Sequence, residues 1–333
     1  MQLKEFQWAG ISRYRSELMG LAILFVILFH VSLPRTDAFF GLRRMGNIGV
    51  DLFFFLSGVG LWFSLVERTG LRRFFRRRYL RIYPTWLIVA CLYYIPIYLK
   101  GGHNIRATVD LLGDILVNWD FWLHDELTFW YIPATMMLYF LAPGYVRLVS
   151  RHPVYRWLPL VAIVWCCAVQ WVKPLNDAVG HLEIFWSRIP IFLLGMNCGQ
   201  WVRDSRTETG SALWLLLLLI VLPLGTCLYM EQQLHGRFPL FAERMLYIPL
   251  SVSSLLLLSK LFSVVPERVR HALRFLGSLS LELYLLHAHF VLVHVERWRL
   301  TYWGTALVCL LLSLPLAWML HRAVHILIKR FEK

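Results

Sequence analysis

Charged side chains are scarce in this chain. Asp, Glu, Lys and Arg make up 16% of its 333 residues, against about 25% in soluble domains. Acidic residues are the scarcer sign, 20 against 34 lysines and arginines, which leaves a formal charge of +14. Apolar residues fill 58% of the sequence, where a soluble domain holds about 45–50%. That excess excludes an ordinary water-soluble enzyme and calls for lipid as the solvent, with repeated apolar runs of about 20 residues to match. No CxxC occurs, and Cys91, Cys166, Cys167, Cys198, Cys227 and Cys309 all sit in apolar stretches. A disulfide framework and a zinc site are therefore not expected. His321 and His325 have ligand-like spacing without the intervening glutamate of an HExxH helix, so snorkelling at an interface is the expected reading, and no metal is assigned. A small-residue cleavage site is missing after the first apolar run, which reads as a retained helix. There is no solenoid repeat, and no low-complexity tract beyond an arginine run.

The apolar runs predict an all-α, polytopic integral membrane protein of about ten transmembrane helices. They fall near 16–33, 47–66, 82–99, 129–149, 157–173, 183–202, 212–230, 241–259, 275–294 and 303–327. Short connections suggest one transmembrane domain over 1–333 with no appended soluble domain. The basic residues lie beside the spans, which favours a membrane surface as partner over nucleic acid. One side is rich: Arg68, Arg72, Arg73, Arg76, Arg77, Arg78 and Arg81 after the second span, then Arg147, Arg151, Arg156, Arg203, Arg206, Lys260, Arg268, Arg270, Arg274, Lys329, Arg330 and Lys333. The other side is poorer, so both termini are expected in the cytoplasm. The longest outer segment, about 100–128, mixes Asp110, Asp114, Asp120, Asp125 and Glu126 with Trp119 and Trp122, a composition suited to the headgroup level.

Ionisable groups inside spans are costly and each needs a reason. His30 lies near the outer end of the first span and Asp51 a few residues into the second. Two antiparallel helices would bring them together near the outer boundary, as the carboxylate–imidazole pair a general base needs. The plainer reading is an interfacial histidine and a helix-capping aspartate. Arg188 falls within the sixth span and needs a carboxylate, a phosphate or a polar cavity. Positive charge near a developing oxyanion is one use for it, and a structural partner such as Asp51 is another. Glu282 and His287 in the ninth span imply a polar cavity. Arg77, Arg78 and Arg81 are explained by topology alone, or by phosphates that arginine binds bidentately.

Read together, these residues resemble the bacterial membrane acyltransferase family 3, the O-acyltransferases of surface glycans. The resemblance rests on the first span from Glu17 to His30, on Gly49-Val50-Asp51-Leu52-Phe53-Phe54-Phe55-Leu56-Ser57-Gly58, and on Arg78-Tyr79-Leu80-Arg81-Ile82-Tyr83-Pro84. Weaker echoes lie at Phe129 to Pro133, Arg188 to Gly195 and Leu276 to His287. The resemblance implies acyl-CoA, commonly acetyl-CoA, docking from the cytoplasm of a bacterial inner membrane, and a glycan or other hydroxyl-bearing acceptor outside. His30 would then activate the hydroxyl or relay the acyl group, while Arg78 and Arg81 would hold phosphates. Two positions depart from the family pattern. Met19 stands where an arginine is usual, eleven residues before His30, and Leu281 replaces a tyrosine. Arg15, one turn earlier, would reach the same phosphate region. The competing class is a proton-coupled transporter or glycan flippase, which also carries intramembrane charge.

Overall fold

The computed structural model describes residues 5–67, 70–101, 104–210 and 212–331. Arg68, Lys333 and the side chain of Arg330 lie outside the described residues. Twelve helices organise the rest: α1 Arg15–His30, α2 Ile48–Val66, α3 Leu71–Lys100, α4 Ile105–Val117, α5 Tyr131–Arg151, α6 Leu158–Trp171, α7 Ile189–Arg203, α8 Ala212–Gln233, α9 Leu240–Leu261, α10 Glu267–Ser278, α11 Ser280–Leu286 and α12 Tyr302–Phe331. Shorter helical turns join them. A two-stranded antiparallel ribbon, β1 Glu5–Gln7 with β2 Thr207–Thr209, is the one addition to the expected all-α architecture among the described residues.

Seven helices are long and apolar enough to cross a membrane, or eight if the bent pair α10–α11 and its continuation form one span. The chain is a multi-pass membrane protein. α8 and α12 turn leucines outward, Leu215, Leu218 and Leu222 on one and Leu307, Leu311 and Leu316 on the other, as lipid-facing helices do. α2 is buried almost throughout, which suits a helix apolar on every face. α1 and α7 have only 16 and 15 residues and lie inside the bundle.

Two close helix contacts set this core. α2 packs most extensively on α7, and α1 on α10. A Cβ on Gly58 would fall on the Phe192 carbonyl, and one on Gly195 on the Phe55 carbonyl. Between α1 and α10, a Cβ on Gly20 would meet the Leu273 carbonyl and one on Gly277 the Ser16 carbonyl. Lipid gives helices no hydrophobic reason to associate, so such small-residue contact supplies the dispersion that holds them.

Several expected elements are rearranged. The arginine run is not a loop, because α3 already begins at Leu71. The sixth segment is interrupted after Trp186, and Arg188 stands at the N-cap of α7 ahead of Pro190, not within a continuous span. Proline is favoured there because its missing N–H is not needed in a first turn. The ninth segment breaks at Leu279 with a bend of 62°. Within the expected outer segment, Ile105–Val117 is helical. α4 folds back along α3, where Trp86 and Tyr83 donate to the Ile115 and Leu116 carbonyls at 2.9 and 3.1 Å.

Gly277→Ala should cost about 1–3 kcal/mol through the Ser16 clash. Gly144→Ala, with nothing near its Cβ, should be neutral or up to about 1 kcal/mol stabilising. Thermal unfolding in detergent reads both, and equal midpoints would refute the close-contact account.

Candidate functional site

The α3 N-terminal end carries a basic mouth. Arg77, Arg78 and Arg81 line a cavity of about 250 Å³ with Ser64, Glu67 and Phe74. Arg77 and Arg81 share a face by their i, i+4 spacing, and Arg78 sits within a turn of Arg81. The Arg78 guanidinium donates to the Ser64 hydroxyl and to the Gly60 carbonyl, the latter at 3.4 Å. Arg15 reaches the same glycine from α1, since a Cβ on Gly60 would come within 3.3 Å of its guanidinium. Among the described residues, none of Arg15, Arg77, Arg78 and Arg81 forms an ion pair with a carboxylate. The Nε of Arg15 is buried with no hydrogen-bond partner. Four guanidinium groups without an ion pair thus converge at a protein edge, where arginine can bind anionic oxygens bidentately, with Glu67 as the carboxylate in the same cavity wall.

An inner cavity of about 60 Å³ begins at this mouth, lined at that end by Arg15 and Arg81. Its polar wall is Ser57, Thr135, Tyr131, Tyr139, Ser280 and Tyr284, and its apolar wall Met19, Val26, Val50, Phe53, Ile82 and Leu281. On α1, the residues Arg15, Met19 and Val26 continue to His30 in steps of 4, 7 and 4, the spacing of one helix face. One stripe of α1 thus connects the guanidinium end to the imidazole.

His30 meets a second imidazole, not a carboxylate. His287 Nε2 lies 3.2 Å from His30 Nδ1, with the rings 4.9 Å apart and nearly perpendicular. His30 Nδ1 is also 2.8 Å from the Val26 carbonyl. His287 Nδ1 faces the Leu283 and Tyr284 carbonyls at 2.8 and 3.0 Å. Carbonyl oxygens only accept, so in the neutral pair each Nδ1 carries its proton and each Nε2 its lone pair. His30 therefore shares its Nδ1–H between Val26 and His287. Its Nε2 has no partner among the described residues, and the side chain is exposed. His287, by contrast, is 1% exposed. It opens a π turn, His287–Leu292, a distortion common at functional sites, and His289 in the same turn stacks on Phe129 and Tyr93.

The other expected site residues are placed elsewhere. Asp51 is not the partner of His30. Gly49 packs on the Ala22 carbonyl, so Asp51 sits at least eight residues, about 12 Å, from His30 along α1. Nor does Asp51 cap α2, where no side-chain cap bond forms. Its Oδ2 accepts from Arg188 Nη1 at 2.6 Å, and both side chains are fully buried. Arg188 also reaches Asn47 at 3.4 Å. Sealed and already paired, Arg188 is out of position to stabilise an oxyanion beside His30, and its structural alternative is what forms. Glu282 is corrected too. Its Oε1 lies 2.8 Å from Nδ1 of His321 on α12, and it is not among the residues that line the inner cavity. His321, read as a snorkelling interfacial residue, has this partner inside the fold. No group of three or more metal-ligating side chains occurs among the described residues.

A family model described as an acyltransferase domain matches residues 18–322. The chain belongs to the acyltransferase 3 family. A curated relative, the acyltransferase MdmB of Streptomyces mycarofaciens, is 28% identical over 140 residues. That match covers 38% of this chain and 34% of MdmB, so the chain spans about a third of the relative's length. No solved structure matches. The family region begins at α1 and ends in α12, and so contains both histidines, the arginines of α3 and the inner cavity, while Arg15 lies just before it.

Residues that the sequence did not single out complete the site. Arg43 donates from Nη1 to the Phe29 and Val31 carbonyls at 3.2 and 2.9 Å, which caps the end of α1 on either side of His30. Tyr284 accepts from the Tyr131 backbone N–H at 3.3 Å. Only the short Tyr284–His287 spacing hinted at the tyrosine, and no sequence signal pointed to Arg43.

Asp51→Ala leaves the Arg188 charge buried and unpaired, and should cost about 3–5 kcal/mol. Replacing both members with Asp51→Leu and Arg188→Met should recover most of it. The yield of monodisperse protein in detergent measures each. An Asp51→Ala protein as stable as wild type would remove the pair from the core.

Proposed function

We propose that this chain is a membrane O-acyltransferase that moves an acyl group, acetyl in the simplest case, from acyl-CoA to a hydroxyl of a surface glycan or similar acceptor. One observation carries the reading: a single face of α1 runs from an unpaired guanidinium cluster, along a narrow cavity, to an imidazole whose Nε2 lone pair is free. Arg15 to His30 is fifteen residues, about 22 Å along the axis, a gap that suits the long flexible arm of a CoA thioester. Arg15, Arg77, Arg78 and Arg81 hold its phosphates. His30 Nε2 takes the proton of the acceptor hydroxyl as its oxygen attacks the thioester carbonyl. The tetrahedral adduct collapses with cleavage of the C–S bond, and the departing thiolate recovers the proton from His30, leaving ester and free CoA. The Val26 carbonyl and the His287 Nε2 lone pair both face the Nδ1–H, and they favour the imidazolium that forms between these steps. They fill the role expected of a carboxylate.

The matching topology counts α1 and α7 as spans despite their length, giving ten, with both termini in the cytoplasm. The arginine-rich end of α3 then faces the cytoplasm under the positive-inside rule, and His30 faces the outer side of a bacterial inner membrane.

Membranes holding the wild-type protein, given radiolabelled acetyl-CoA, should transfer label to an envelope glycan fraction. A carrier would transfer none. His30→Ala should lower transfer by about 10²-fold or more while the protein stays folded. Arg81→Ala should raise KM for the donor more than it lowers kcat. Undiminished transfer by His30→Ala removes that residue from the mechanism.

A further inference from the structure

A roomier cavity of about 630 Å³ lies between the last turns of α1 and the helices α8, α9 and α12. Its walls are apolar: Phe25 and Leu28 from α1, Leu33 and Leu42 from the segment that follows, Ile220 and Leu224 from α8, and Leu250 from α9. On the scale at which about 150 Å³ holds benzene, this space takes roughly 25 carbons. Ile220 lies thirteen residues before the end of α8 at Gln233, and Ser254, also in the lining, lies fourteen after the start of α9 at Leu240. Both are about 20 Å from those helix ends. The cavity therefore spans at least half of a hydrocarbon core about 30 Å thick.

Its rim is polar and is built onto the turn that ends in His30. Tyr302 donates to the Leu28 carbonyl at 3.0 Å, and Arg43 to the Phe29 and Val31 carbonyls. Arg43 forms no ion pair among the described residues, whereas its neighbour Arg44 has Glu231. The Nε of Arg43 is buried without a hydrogen-bond partner. Asp37, the carboxylate in the lining, is turned to its own loop and accepts from the Phe39 N–H at 2.8 Å. Phe39, Leu42 and Trp303 line the same space and are exposed, so the cavity opens sideways toward lipid.

A hydrocarbon chain fits the apolar walls, and an anionic group fits the unpaired guanidinium of Arg43. A phospholipid would satisfy both, but the placement of His30 asks for more. At 3.6 residues per turn, Leu28 and Phe25 lie about 160° and 140° around α1 from His30. The cavity is thus on the far face of the helix, and a helix is about 10–12 Å across. A ligand anchored here must reach that far, over the end of α1 and past Arg43, to bring a hydroxyl to His30 Nε2. A sugar chain attached to the anionic group has that reach.

We infer that the acceptor is lipid-linked: a glycan joined through a phosphate to a hydrocarbon chain, with the chain in this cavity, the phosphate on Arg43 and a sugar hydroxyl at His30. This rests on the acyltransferase reading above and names the form of its acceptor.

The test compares the lipid-linked glycan extracted from the envelope with the same glycan after mild acid has removed its lipid. Acetyl-CoA is the donor, and the full-length protein sits in phosphatidylcholine vesicles. Leu224→Trp and Ile220→Trp fill the cavity and should raise KM for the lipid-linked form, lowering its kcat/KM relative to the released glycan by about 10-fold. Leu218→Trp, at an exposed position of α8 outside the lining, should leave that ratio unchanged, which separates the cavity from mere concentration of lipid at the membrane. A second readout needs no turnover and serves if the tryptophan variants do not fold. A glycosyl alkyl phosphate with a diazirine in its chain should label wild-type peptides containing Ile220 and Leu224 several-fold more than a diazirine phosphatidylcholine does. Equal use of the two glycan forms by wild type, an unchanged ratio in the folded tryptophan variants, or equal labelling by the two probes overturns the lipid-linked acceptor and leaves the acyltransferase reading standing. Selective labelling without acyl transfer to either form overturns the acyltransferase reading and leaves a binding site for a lipid-linked glycan.

Discussion

A guanidinium cannot shed its charge in the interior of a bilayer, so each arginine here is explained by what neutralises it. Arg188 has Asp51, Arg244 has Glu183, Arg44 has Glu231 and Arg274 has Glu17. Those pairs tie α2 to the start of α7, α9 to the turn before α7, and α10 to α1. Arg15, Arg77, Arg78 and Arg81 form no ion pair among the described residues, and they gather at one place around Gly60 and Ser64. Balanced arginines build the bundle. The clustered, unpaired ones fit the anionic donor proposed for them.

The same economy of acidic residues explains the histidine pair. With 20 carboxylates for the whole chain, and Glu17 on α1 and Asp51 on α2 already engaged with arginines, His30 is oriented by a backbone carbonyl and by a neutral imidazole. A carbonyl oxygen fixes the tautomer of an imidazole as well as a carboxylate does, and it brings no second charge into a low-dielectric site. His287, where the helix widens into a π turn, is in turn fixed by two carbonyls of the preceding helical turn. Backbone carbonyls thus supply the orientation that a buried carboxylate would otherwise have supplied.

α1 is the axis on which these features meet. It is short, packed against α10 through glycine contacts on one side and against α2 on another, and capped by Arg43 where His30 emerges. Packing along its length holds the guanidinium cluster and the imidazole at a constant separation.

Much of this was legible in local pattern. Apolar runs located the helices because hydropathy over about 20 residues depends only on neighbours in sequence. The arginine cluster on α3 and the histidine ending α1 were visible for the same reason, and so was the cost of burying Asp51, Arg188 and Glu282. Partnership was another matter. Asp51 and His30 look adjacent when the helices are drawn with level ends, yet the Gly49–Ala22 contact slides α2 along α1 and delivers the aspartate to Arg188. Glu282 went to His321 for a similar reason, since the break at Leu279 turns α11 away from the direction of α10. Composition and periodicity determined which segments enter the membrane and which charges would need a counterpart. Only the tertiary structure decided which counterpart each received, because helix register is fixed by contacts between residues far apart in the chain.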